Sequence, residues 1–131
     1  MSNVRFIGLD VHKDSIVMSV AETGTAEAKV LGTFPNDINK VIKQFKKLSA
    51  DVSLLRVCYE AGPTGFGLYR RLKEAGIDCI VVAPSLVPQK AGLRVKTDRR
   101  DSKKLAHYLR SGDLTQVWVP DEQTEALRDL E

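Results

Sequence analysis

The chain has 131 residues, 43% of them hydrophobic and 28% charged, with a formal charge of +3; this describes one ordinary globular domain, long enough to bury a core without covalent or metal staples. Its two cysteines show no C-x-x-C spacing and no histidine pairing, which argues against a zinc site and a disulfide scaffold. No stretch approaches the roughly 20 apolar residues of a membrane helix and the amino terminus lacks a secretion-signal layout, so a soluble, cytoplasmic protein without a membrane partner is expected.

Residues 4–12 (VRFIGLDVH) predict a first β-strand, and residues 15–22 (SIVMSVAE) a second, joined by a short polar link that reads as a hairpin turn. Residues 25–33 predict a third, weaker strand, completing an antiparallel meander. The period then changes: Ile38, Val41, Ile42, Phe45 and Leu48 recur at helical spacing within residues 35–48. Residues 52–60 (VSLLRVCYE) form a run of buried-strand type. A second helix opens at Pro63 or Thr64 and stops at Gly76. Residues 77–83 (IDCIVVA) predict a fifth strand, 84–96 a connection, and 98–110 a helix closed by Ser111 and Gly112. Cys58 and Cys79 fall in apolar stretches and read as reduced core residues. Trp118 is expected to anchor the tail to the domain rather than to stack a base. The order β-β-β-α-β-α-β-α, with right-handed crossovers, gives a mixed five-stranded α/β sheet of the ribonuclease H-like kind. From Pro120 a helical pattern begins and stops on Glu131, an acid at the unfavourable end of a helix dipole. The expectation is therefore a catalytic domain over 1–119 and, over 120–131, the start of a helical linker to a further domain.

Four acids fall where strands and helices converge in such a fold. Asp10 lies in the otherwise apolar first strand, where an unpaired acid is costly. Glu60 ends the fourth strand. Asp98 and Asp101 open the last helix, one turn apart on one face. Each has a plain structural reading: a hydrogen-bonded acid, a strand end facing water, a capping box. Together they read differently, because four clustered carboxylates repel one another unless a cation is shared. Hard oxygen donors at that density suit Mg²⁺ or Mn²⁺, and a pair of such ions can act on a phosphodiester. Seven basic residues stand against two acids between Lys90 and Lys104, a local excess of five that exceeds the whole chain's charge. Arg94, Lys96, Arg99, Arg100 and Lys103, with Lys13 after the first acid, are the candidates for holding a nucleic-acid backbone. His12 reads as a turn residue or hydrogen-bonded neighbour. The glycine-rich residues 62–67 lack the lysine and hydroxyl of a P-loop.

The segments GLDVHKDS (8–15), CYEAGPTGFGLYRRL (58–72) and KTDRRDSKKLAHYLRSG (96–112) resemble, in order, the N-terminal DEDD domain of the IS110 family of insertion-sequence transposases. The likeness covers nearly the whole chain. It implies a RuvC-like metal site on Asp10, Glu60, Asp98 and Asp101, binding Mg²⁺ or Mn²⁺ and contributing to DNA strand cleavage and exchange. It further implies a structured guide RNA transcribed from the element, a homo-oligomer (dimer or higher) of the full-length protein, a bacterial or archaeal cytoplasm, and a nucleophilic serine in a C-terminal domain beyond this sequence. Ser15, Ser85, Ser102 and Ser111 match no such motif. Two alternatives stand beside this reading: a non-catalytic RNA-binding or dimerisation module, and an actin-like ATPase domain. The latter fits poorly, since Val11, His12 and Lys13 are bulky where a phosphate-binding hairpin needs small residues.

Overall fold

The computed structural model describes residues 4–62, 65–83 and 98–119, the last block with side chains from Ser102 onward. Five strands, β1 (Arg5–Val11), β2 (Ser15–Glu22), β3 (Lys29–Pro35), β4 (Leu55–Glu60) and β5 (Asp78–Val82), form one sheet in the order β3-β2-β1-β4-β5. β1, β2 and β3 pair antiparallel, while β4 pairs parallel to β1 and β5 parallel to β4. The helices are α1 (Ile38–Leu48), α2 (Gly67–Glu74) and α3 (Asp98–Ser111). This is the mixed sheet that the residue pattern led one to expect.

Strand alternation decides how the layers stack. Ile7 and Leu9 of β1, with Val57 and Tyr59 of β4, share a buried core with Val41 and Phe45 of α1 and Leu72 of α2. Gly8, Asp10 and Cys58 take the other face, where Leu105 of α3 packs on Cys58 and Val82. α1 and α2 therefore lie on one side of the sheet and α3 on the other. Burial pushes both cysteine thiols up, Cys79 to about 12, as reduced core residues require.

The boundaries move for local reasons. β3 starts at Lys29 instead of residue 25, because the preceding backbone serves α3: Ala28 N–H donates to His107 Nε2 at 3.1 Å, and Arg110 Nη1 donates to Ala26 O at 2.7 Å. α1 starts at Ile38 because the Asp37 carboxylate accepts from the Asn39 and Lys40 amides, capping it. β4 starts at Leu55, since Asp51 holds Val52–Leu54 in a 3-10 turn by accepting from Ser53 N–H at 3.0 Å. α2 starts at Gly67, after a turn in which Gly65, at φ +71, donates to Gly62 O. Trp118 is 68% exposed; the tail is held by Val117 N–H on Val81 O at 2.7 Å, by a bridge from Gln116 to Val82, and by Val119 packed against the core. The connection 84–97, with Arg94 and Lys96, and the helix expected from Pro120 lie outside the described residues.

α3 is fixed to the sheet by a polar contact inside the core. Ser102 Oγ and Ser19 Oγ are fully buried and 2.6 Å apart. Ser102→Ala is expected to cost about 1–3 kcal/mol, because it strips the Ser19 hydroxyl of this buried partner. Adding Ser19→Ala should recover part of the loss; a urea-denaturation double-mutant cycle reads the coupling.

Candidate metal centre at the carboxyl edge of the sheet

Three neighbouring strands set the site. Gly8 of β1 lies opposite Ser19 of β2 and Cys58 of β4. Two residues further along, on the same face, stand Asp10 and Glu60. Continuing the parallel register of Leu9 with Tyr59 by one residue sets Asp10 beside Glu60, on strands about 4.8 Å apart.

α3 crosses this row with its direction reversed. Near its start, Ser102 sits over Ser19 and Gly8. Near its end, Arg110 Nη1 donates to Glu22 O at 3.0 Å, and Glu22 pairs with Arg5 at the opposite end of β1. The helix thus runs antiparallel to β1, with its first turn toward the end that carries Asp10. Four helical residues from Ser102 back to Asp98 rise about 6 Å, and two strand residues from Gly8 to Asp10 advance a similar distance. Backbone geometry accordingly carries Asp98 and Asp101 to the edge held by Asp10 and Glu60; their side chains lie outside the described residues, as do those of Arg99 and Arg100. Among the described residues no cluster of three or more His, Cys, Asp or Glu forms.

Asp10 is only 18% exposed, and its Oδ2 lies 3.1 Å from His12 Nε2, which donates to it. The histidine follows the acid by two residues and shares its face, so the imidazole orients one carboxylate oxygen. Glu60 is half-buried at the last position of β4. The turn after it is held by Tyr59, whose hydroxyl donates to Gly65 O at 3.2 Å and accepts from Tyr69 N–H at 3.1 Å. Lys13 is exposed in the β1–β2 turn. Lys103 Nζ donates to Glu27 Oε1 at 2.6 Å, and this bond and charge hold the Glu27 carboxyl below its ordinary range. Lys103 therefore already has an anionic partner on the surface.

The donor set fits a hard divalent cation: carboxylate oxygens at adjacent strand ends, one of them oriented by a second residue, with no thiolate among them. Cys58, nearest in register, faces Leu105 O at 3.6 Å inside the core. Two open cavities, of about 320 and 370 Å³, lie elsewhere, one at the starts of α1 and α2 and the other beside Arg56 and Asp78. Sequence reasoning passed over Gly8, Ser19 and Ser102, which set the height and register of α3. The available signal was a glycine inside an apolar strand, a mark of close backbone approach.

A DEDD family model of the IS110 kind, described as "Transposase", matches residues 7–131. The putative transposase y4qE of Sinorhizobium fredii is 49% identical over 126 residues, covering 95% of this chain and 32% of the relative. The transposase for insertion sequence element IS1533 of Leptospira borgpetersenii is 36% identical over 125 residues, covering 95% of this chain and 36% of the relative. The chain spans about a third of the length of these curated relatives. Among solved structures, T. thermophilus RuvC in complex with Holliday junction substrate superposes with a TM-score of 0.53 at 11% identity, covering 87% of this chain and 99% of that one. The large terminase nuclease from thermophilic phage G20c gives 0.50 at 20% identity, covering 94% and 61%. At these identities the likeness is one of fold, and the fold is ribonuclease H-like.

Proposed function

The chain belongs to the IS110-type DEDD transposase family, and from that premise we propose that it is the metal-dependent DNA-processing domain of a transposase. Asp10, Glu60, Asp98 and Asp101 are its metal ligands, and phosphodiester cleavage and exchange is its chemistry. The observation that carries this reading is the register that brings Asp10 beside Glu60 beneath the first turn of α3.

Asp10, Glu60, Asp98 and Asp101 would hold Mg²⁺ or Mn²⁺, which when bound would supply Lewis acidity toward a phosphoryl oxygen. The protein's own part is placement. His12 fixes the Asp10 carboxylate, Tyr59 fixes the turn after Glu60, and Ser19 with Ser102 fixes α3. Lys13, Arg94, Lys96, Arg99 and Arg100 are proposed to hold DNA phosphates, with Lys103 joining them if it leaves Glu27. Ser102 is buried against Ser19 and takes no part as a nucleophile; the nucleophilic serine of such a transposase is proposed to reside in a further domain, which residues 120–131 would join to the catalytic domain over 1–119. A structured guide RNA and a homo-oligomeric full-length protein complete the proposal, in keeping with the family resemblance, as does residence in a bacterial or archaeal cytoplasm. No helix among the described residues is long and apolar enough to cross a membrane.

The test is Mn²⁺ binding followed by calorimetry in the presence of a DNA duplex. Saturable binding is expected for the native chain. Glu60→Gln should weaken it at least ~10-fold, because losing a ligand exceeds the usual loss of an outer-shell partner, with circular dichroism unchanged. Equal affinity in the native chain and the variant would overturn the ligand assignment.

A further inference from the structure

We infer that the outer face of α1 is a second docking surface, for duplex DNA, on the side of the sheet away from α3. Val41 and Phe45 bury one face of this helix. At about 100° per residue, Lys40, Lys43 and Lys47 fall within an arc of about 60° on the opposite face, and all three are exposed. No acid lies between Ile38 and Leu48. Lysines three and four residues apart repel, which disfavours the helix unless an anion faces it. The helix dipole accounts for cations in the last turn, yet Lys40 stands in the first, at the unfavourable end.

Elsewhere on the described surface some cations are paired with acids, while others, Lys13, Lys29 and Lys73 among them, stand singly and form no ion pair among the described residues. Arg5, Arg56 and Lys103 are each matched to an acid, Glu22, Asp78 and Glu27 respectively. Among the described residues, the α1 lysines form no such pair.

The chemistry of the stripe selects its partner. Single-stranded nucleic acid is held by aromatic side chains on which bases stack, and the outer face of α1 offers only Lys, Asn and Gln. Lysines alone read a phosphate backbone. From Lys40 to Lys47 the helix rises about 10 Å, or about three steps of the 3.4 Å rise along a DNA strand. The stripe also starts at a defined place. Asn36 Nδ2 donates to His12 O at 2.8 Å and Lys13 O at 3.3 Å, tying the entry to α1 to the β1–β2 turn beside Asp10. At the far end Arg5 Nη1 donates to Leu48 O. DNA on α1 is thus the arm that leads away from the acid edge. The inference rests on DNA as the partner, and it is independent of whether the acids bind metal.

The experiment is fluorescence anisotropy of a labelled DNA duplex against the whole chain in EDTA, across a salt series. The variant carries Lys40→Gln, Lys43→Gln and Lys47→Gln, all solvent-facing changes that leave the core intact. The slope of log affinity against log salt should fall by about 2–3, at about 0.9 per lost phosphate contact, and the corresponding Lys→Arg triple should restore it. Because EDTA removes divalent cations throughout, failure of the metal reading leaves this measurement untouched. An unchanged slope in the glutamine variant, no binding by the native chain, or tighter binding of an RNA duplex of equal length would overturn the proposal.

Discussion

Gly8→Ala is expected to cost about 4 kcal/mol and to release α3 from the sheet. A methyl group at this position would stand 2.2 Å from Ser102 O, 2.6 Å from Ala106 N and 2.8 Å from Leu105 Cβ. Two of those three atoms are helix backbone, which has no rotamer by which to withdraw. Ordinary overpacking costs about 1–3 kcal/mol because side chains give way; here the entire helix must lift, and the Ser19–Ser102 bond and the Leu105 contact are lost with it. Against a total stability of about 5–15 kcal/mol, that loss is severe. Gly24→Ala is the control. Gly24 has positive φ, +109, but no atom within 4 Å of a new Cβ, so only backbone strain of about 1–2 kcal/mol applies. Urea denaturation of the two variants should separate them clearly, and near-equal losses would contradict the close approach of α3 to β1.

In the proposed full-length transposase, Asp10→Asn is expected to reduce DNA strand cleavage about 1,000-fold, equivalent to about 4 kcal/mol in the barrier, without unfolding the domain. The amide is isosteric with the carboxylate and still accepts the hydrogen bond from His12 Nε2. What is lost is the negative charge and the strong oxygen donor at the centre of the proposed ligand set. A supercoiled-plasmid cleavage assay in Mg²⁺, with thermal melting of the same preparation, reads both quantities. Cleavage within a few-fold of native would remove Asp10 from the chemistry.

Alternation of apolar residues and a change of period made the strands and helices legible, because core burial imposes period 2 on one and 3.6 on the other. The order of the sheet followed from hairpin and crossover rules. What stayed hidden was governed by tertiary partners. Nothing in residues 25–28 announces that their backbone will bond to His107 and Arg110, some 80 residues on. Asp37 before Ile38 was a readable cap, and its neglect put the helix start too early. The acids were read as a set because each lies near the end of an element; the strand register brings Asp10 beside Glu60, while the side chains of Asp98 and Asp101 lie outside the described residues. The apolar spacing of residues 35–48 reads as an amphipathic helix; that the α1 lysines form no ion pair among the described residues is a property of the folded surface.

The bond between Ser19 and Ser102 joins residues 83 positions apart. A ribosome extending the chain at about 5–20 residues per second exposes Asp10 several seconds before the helix that brings Asp98 and Asp101. During that interval β1 and β2 can pair while the upper half of the proposed centre does not yet exist. On the proposed reading, the ligand set is therefore complete only once translation has delivered α3, which makes the order of synthesis itself a limit on when the centre can form.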